Sequence, residues 1–191
     1  ALVEDGFVDI DDTVDVELGI HQYWNQTMRD AERHNLTRIT VRSAFAHSSN
    51  VGISKLVEQH YNKDPEKYLS YLRELGLDKK LNIEIPGEQQ PYIKDTKDKR
   101  FTRYSLPWMS VGYEIQISPL QMLTLYNSVA NNGVMMKPYL VQQIQEYGLP
   151  VQHFDPVVLN KKICSDETLQ AMKIILKEVV DSGTAKNLRN P

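Results

Sequence analysis

The stretch Ile39-Thr-Val-Arg-Ser-Ala-Phe-Ala-His-Ser-Ser-Asn-Val-Gly-Ile-Ser-Lys-Leu56 decides how this chain is read. Thr40 is a predicted N-cap for a short helix over Val41 to Ala46, with Val41, Ala44 and Phe45 on one face. Ser48-Ser49-Asn50 then interrupts the periodicity. Ile53, Leu56 and Val57 return to helical spacing, so the tripeptide lies between two helices. Ser and Asn are favoured at helix N-caps because a short side-chain oxygen satisfies a backbone N–H that the first turn leaves unpaired. Standing alone, the tripeptide reads as a cap and nothing more, and its surroundings must decide whether it carries chemistry.

Toward the N-terminus, Ala1-Leu-Val-Glu-Asp-Gly6 reads as the last turn of a helix with Gly6 as its stop. The acidic stretch from Asp9 to Glu17 has period-two alternation at Val14 and Val16 and reads as a loop or short edge strand. The pattern stays weak through Asn35, with Met28 to Ala31 a candidate helical turn. On the other side, Asp64-Pro65 is a helix start, a capping carboxylate followed by proline at the first helical position. That helix has Tyr68, Leu69, Leu72 and Leu75 inward and stops at Gly76. Leu81 to Ile85 alternates and breaks at Pro86-Gly87, and residues 91 to 105 form the most polar loop. Ser118-Pro119 opens a helix apolar nearly all round, which predicts deep burial, and Asn131-Asn132-Gly133 ends it. Tyr139 to Tyr147 and Val151 to Phe154, around Gly148-Leu149-Pro150, read as a hairpin. Ser165 caps a last helix with Leu169, Met172, Ile175, Leu176, Val179 and Val180 inward and Gly183 as its stop. The expectation is a mainly α chain of at least five helices with a small β-hairpin.

At 191 residues the chain is long enough for one substantial domain. Apolar residues at 41% and charged residues at 25% fit an ordinary globular protein, and the net charge of −3 argues against general nucleic-acid binding. No apolar run approaches the roughly 20 residues that span a bilayer. Cys164 is the single cysteine, so no disulfide framework or cysteine metal cluster is expected. Its place beside a helix cap makes it a candidate for a lowered thiol pKa. His21, His34, His47 and His60 recur at even spacing, but metal-binding pairs on a helix need separations of three or four, so the recurrence reads as chance. Neither a metal nor another cofactor is expected. The basic run from Lys94 to Arg103 could grip an anionic polymer, yet reads first as a solvated loop.

Three blocks change the reading of Ser48-Ser49-Asn50. The first is Ile39 to Leu56. The second runs from Leu106-Pro-Trp-Met-Ser-Val-Gly-Tyr-Glu-Ile-Gln-Ile-Ser-Pro-Leu-Gln-Met122 through Asn131-Asn132-Gly133 and Lys137-Pro138. The third is Val179-Val-Asp-Ser-Gly-Thr-Ala-Lys-Asn-Leu188. In order and spacing they resemble class B penicillin-binding proteins, the monofunctional transpeptidases of cell-wall synthesis. Sites of this type are built from three motifs, Ser-x-x-Lys, a Ser-x-Asn form of Ser-Asp-Asn, and Lys-Thr-Gly. Ser48 and Asn50 match the second as catalytic residues, and Asn50 also as a substrate-binding one. Ser49 is its variable middle residue, with a structural part.

The resemblance implies that Ser48 relays a proton and that Asn50, whose amide both donates and accepts, holds the motif lysine and a substrate backbone group. Neither Ser-x-x-Lys nor Lys-Thr-Gly occurs in the 191 residues. The family places the nucleophile at the start of the helix that here ends at Gly6, and Lys-Thr-Gly shortly after Pro191. Residues 1–191 are therefore expected to be part of a transpeptidase domain, truncated at both ends and inactive alone. The parent would have the α/β fold of serine β-lactamases and transpeptidases, a helical lobe on a five-stranded sheet, with this chain holding mainly the lobe. Its implied ligands are peptidoglycan stem peptides and β-lactams. The implied partners are a membrane glycan polymerase and division proteins, at the periplasmic face of the inner membrane, with an upstream anchoring helix. The fragment itself is expected to self-associate. Two rivals stay open: a β-lactamase or β-lactam sensor of the same fold, and a non-catalytic helical interaction module.

Overall fold

The computed structural model describes residues 1–32 and 34–189. Ala1 to Gly6 form a single helical turn closed by paired hydrogen bonds, Gly6 N–H to Val3 O at 2.9 Å and Phe7 N–H to Leu2 O at 3.0 Å. Gly6 sits at φ 67°, the left-handed conformation that this terminating motif demands. Strand β1 (Thr13–Asp15) follows, then the hairpin β2 (Ile20–Tyr23) and β3 (Gln26–Arg29), then β4 (Arg38–Thr40), which pairs antiparallel with β1. Val14 and Val16 are buried, as the alternation predicts. Met28 corrects the expectation of a helical turn: it lies in β3 and packs beside Tyr23 and Val51. Four residues cannot express a helical period against the antiparallel pairing of Met28 with His21 in the same hairpin.

Thr40 caps α1 (Val41–Ala46), accepting the Ser43 N–H at 3.2 Å, and three residues separate α1 from α2 (Asn50–Tyr61). Helix α2 is the pillar of the lobe. Leu56 enters a cluster with Val8, Val14, Val16, Val41 and Ala44, Val51 one with Tyr23 and Met28, and Val57 and Tyr61 one with Leu106. At about 1.5–3 kcal/mol for each large side chain buried, these four anchor the helix on several sides. Asp64 and Pro65 open α3 (Pro65–Glu74), which ends at Gly76 with φ 69°.

Leu81 to Ile85 is not a strand; Glu88 ties it into an irregular turn by accepting the N–H groups of Leu81 and Asn82 at 2.6 and 2.8 Å. The polar loop contains β5 (Tyr92–Ile93) and leads to α4 (Ser105–Met109), and β6 (Ile115–Gln116) pairs back onto β5. Lys94 pairs with Glu114 at 2.6 Å and Arg100 with Asp98 at 2.7 Å, while Arg103 stacks over Trp24 at 4.1 Å.

Helix α5 (Pro119–Ala130) starts with the full capping box of Ser118 and Gln121. Its expected deep burial is wrong. The buried positions include Gln121, Thr124 and Ser128, whose polar atoms are satisfied by Lys79 O, Leu120 O and Leu125 O. Met122, Leu123 and Tyr126 are exposed. Polar side chains that find backbone acceptors can be buried at little cost, which turns the apolar positions outward. Strand β7 (Met135–Met136) pairs with β10 (Val158–Asn160), and between them projects the hairpin of β8 (Gln143–Glu146) and β9 (Leu149–His153). That hairpin was legible, but its turn is Tyr147-Gly148, both with positive φ, and Leu149 and Pro150 belong to β9. Ser165 caps α6 (Asp166–Asp181). The strands among the described residues form five two-stranded antiparallel pairs, more strand than the expected single hairpin, with no larger sheet joining them.

Candidate active site

Ser48 stands at the bend between α1 and α2 with φ 55°, outside the helical well on both sides. A left-handed conformation costs a non-glycine residue on the order of 1–3 kcal/mol and persists where its flanks over-determine it. Both flanks do so here: Ser48 N–H donates to Phe45 O at 3.0 Å and Ser49 N–H to Ala44 O at 2.8 Å. The result lifts Ser48 into solvent while its neighbour Ser49 is buried.

Ser49 is the N-cap of α2, its hydroxyl oxygen accepting the Gly52 N–H at 3.0 Å. The same hydroxyl donates to Asp30 Oδ2 at 2.9 Å. Asn50, half-buried in the first turn, donates from Nδ2 to Arg29 O at 2.8 Å, which leaves its carbonyl oxygen as the available acceptor. The capping reading is therefore right for Ser49, and all three residues of the bend border open space.

That space is a cleft of about 1490 Å³ walled by α2, α3, α5 and α6. Ser48 and Asn50 from the first sequence block lie on it with Met109 and Val111 from the second and Val179 and Thr184 from the third. Three blocks far apart in sequence thus meet at one concavity. The third block is locked against the first, because Thr184 N–H donates to Ala46 O at 3.0 Å, two residues before Ser48. Gly183 permits the approach: an added Cβ would stand 2.9 Å from the Ala46 carbonyl carbon.

Ala1 and Glu4 also border the cleft, and two carboxylates pin their turn. Burial works to raise the Asp5 pKa, but hydrogen bonds from Tyr61 at 2.5 Å, Tyr71 at 2.6 Å and Lys67 at 2.9 Å outweigh it and hold the carboxyl below its ordinary value. The same bond, with some burial, pushes Tyr71 up to about 12. Glu4 accepts from the Ser165 N–H and hydroxyl at the start of α6; burial works to raise its pKa, but hydrogen bonding from the Thr168 side chain and then from Ser165 outweighs it and lowers the value. Cys164 corrects an expectation, since burial and then the nearby Glu4 charge push its thiol up, not down.

The four evenly spaced histidines have separate surroundings. His21 pairs with Glu17 and His34 with Asp30, both at 2.9 Å, His60 stacks on Phe7, and His47 is exposed with Nδ1 3.1 Å from Ser43 O. No group of three or more potential metal ligands occurs among the described residues. Asp30 and His34 were missed by sequence reasoning; they lie in the weakly patterned stretch and reach the motif only through the fold.

Comparison with known proteins shows the family. The family model described as the penicillin binding protein transpeptidase domain matches residues 1–190, and the chain belongs to that family. It is 29% identical over 184 residues to penicillin-binding protein PbpB of Mycolicibacterium smegmatis, an alignment covering 94% of this chain and 27% of that protein. It is 24% identical over 199 residues to a peptidoglycan D,D-transpeptidase FtsI homolog of Mesostigma viride, covering 96% of this chain and 32% of the relative. Among solved structures it superposes on penicillin binding protein 3 of Mycobacterium tuberculosis in complex with ampicillin with a TM-score of 0.81 at 25% identity, covering all of this chain and 42% of that one. The chain thus spans about a quarter to a third of the length of these curated relatives.

Proposed function

We propose that this chain supplies the second catalytic motif of a serine peptidoglycan D,D-transpeptidase, with Ser48 and Asn50 as its working side chains. The reaction has two steps. A serine oxygen attacks the penultimate D-alanine carbonyl of a stem peptide, and the C–N bond to the terminal D-alanine breaks as its nitrogen takes a proton. An amine of a neighbouring stem peptide then attacks the ester, forming the cross-link and returning the serine. Ser48 passes the proton to the departing amine. Asn50 accepts from the motif lysine with the carbonyl oxygen that its bond to Arg29 leaves unused. β-Lactams acylate the same nucleophile.

What carries the reading is the meeting of three resembling blocks at one cleft, with Ser48 exposed on its wall. A volume of about 1490 Å³ exceeds the roughly 300–1,000 Å³ of a small-ligand pocket. In this proposal the difference is filled by the helix that ends at Gly6, carrying Ser-x-x-Lys at its start, with Lys-Thr-Gly on a strand beyond residue 191. The parent works outside the cytoplasmic membrane, tethered by an upstream helix, beside a glycan polymerase and division proteins. The printed name of one relative, a peptidoglycan D,D-transpeptidase, favours the transpeptidase reading over a β-lactamase.

Labelling with a fluorescent penicillin tests it. The full-length protein should form a covalent adduct at one serine, Asn50→Ala should slow that acylation, and the 191-residue chain should form none. Stoichiometric labelling of the 191-residue chain would place the nucleophile elsewhere and sink the assignment.

A further inference from the structure

Ser48 and Asn50 can act only if the bend that carries them is held still, and one long-range carboxylate does much of the holding. Asp30 ends the hairpin of β2 and β3, and its side chain is 5% exposed. Its two oxygens collect three donors. Oδ1 accepts the Val51 N–H at 2.9 Å, and Oδ2 accepts the Ser49 hydroxyl and His34 Nε2, each at 2.9 Å. His34 Nδ1 accepts the Leu36 N–H at 3.3 Å, so Nε2 bears the proton and donates to the carboxylate.

The first turn of a helix leaves backbone N–H groups unpaired. In α2 the Gly52 N–H is satisfied locally by Ser49 Oγ, while the Val51 N–H is satisfied by Asp30, 21 residues upstream in sequence. A buried anion here also meets the positive end of the helix dipole. Next to it, Arg29 O receives the Asn50 amide at 2.8 Å. Asp30 is fixed from behind: its N–H donates to Gly19 O at 2.9 Å, and a Cβ on Gly19 would lie 3.3 Å from Asp30 Cβ and 3.1 Å from His34 Nε2. Residues 50 and 51 are thus clamped by 29 and 30, with the Ser49 hydroxyl as the link between cap and clamp.

We propose that Asp30, oriented by His34, is a positioning residue for the Ser48-Ser49-Asn50 bend, fixing the two side chains that face the cleft without itself touching substrate. The inference rests on the transpeptidase reading of Ser48 and Asn50. An ionised carboxylate is a stronger acceptor than a neutral amide oxygen. An amide in place of Asp30 keeps one acceptor for Val51 but presents an NH₂ group to the His34 N–H, so the clamp loosens while the shape is conserved.

The test compares acylation of the full-length protein by a fluorescent penicillin at saturating concentration, with the apparent dissociation constant and thermal midpoint recorded separately. Asp30→Asn should lower the maximal acylation rate by about 10- to 100-fold, the scale of a small misplacement of catalytic groups. In the Ser48→Ala/Asn50→Ala background, the same change should slow the residual rate by less than about twofold, because groups acting as one unit are not additive. Equal losses in both backgrounds would mean a general structural role and overturn the proposal. A wild-type rate for Asp30→Asn, with Ser48→Ala/Asn50→Ala slow, would overturn it alone. A wild-type rate for Ser48→Ala/Asn50→Ala would overturn the transpeptidase assignment of the bend instead. Should Asp30→Asn not fold, Ser49→Ala cuts the same clamp at its other end and carries the same two comparisons.

Discussion

Gly183→Ala is expected to damage both stability and catalysis, because one methyl group would be driven between α6 and α1. The added Cβ would stand 2.9 Å from the Ala46 carbonyl carbon and 2.9 Å from Val179 Cα, and closer still to Ala46 O. These neighbours are backbone, so no side chain can rotate away. Relief requires the C-terminal end of α6 to move off α1, which strains or breaks the Thr184 N–H to Ala46 O hydrogen bond, now 3.0 Å. Overpacking costs about 1–3 kcal/mol and the lost bond about 1 kcal/mol, so the total is about 2–4 kcal/mol. For a domain of this size that corresponds to a fall of roughly 5–15 °C in thermal midpoint. Gly76→Ala is the control: Gly76 has φ 69° but nothing within 4 Å of its added Cβ, so only a backbone penalty of about 1 kcal/mol applies. Thermal unfolding of the full-length protein checks the order. Penicillin acylation should fall with Gly183→Ala and not with Gly76→Ala, since Ala46 lies two residues before Ser48. A Gly183→Ala midpoint within a degree of wild type would refute the close packing of the third block on the first.

Three further outcomes follow from the same geometry. Asp5→Asn should weaken the acceptor that Tyr61, Tyr71 and Lys67 share. Because the folded Asp5 pKa is depressed, its stabilisation is present above the unfolded value near 3.8 and is lost as pH falls through the lower folded value; the wild-type advantage over the variant, read by urea midpoints, should therefore shrink only below about pH 4. Leu56→Ala should cost about 2–5 kcal/mol in chemical unfolding, as expected for a large side chain only 6% exposed in the cluster between α1, α2 and β1. The 191-residue chain should self-associate in sedimentation velocity, because Met122, Leu123, Tyr126 and Ile174 on its helices and Leu140, Leu149 and Val151 around the hairpin expose apolar surface. A monodisperse monomer at high concentration would count against that expectation.

The features legible in the sequence were those set by neighbours within a few residues. Thr40, Asp64, Ser118 and Ser165 each cap the helix they were read to cap, because the donor three residues on is fixed by the helix itself. Gly6, Gly76 and Gly133 end helical turns because positive φ favours glycine over any side chain. The β2/β3 hairpin was hidden because its turn, with Trp24 at φ 47°, uses no Asn-Gly or Gly-Gly signal. The burial of α5 was misread for a related reason. Periodicity counts apolar positions, but which face turns inward depended on Gln121 finding Lys79 O, 42 residues away. The site divides along the same line. Ser48, Ser49 and Asn50 could be found because the motif is contiguous, whereas Asp30 reaches them across 19 residues with no fixed spacing to betray it. A contiguous motif can be found from its own residues. The Asp30 carboxylate that binds it belongs to the fold, and only the folded chain brings it to the start of α2.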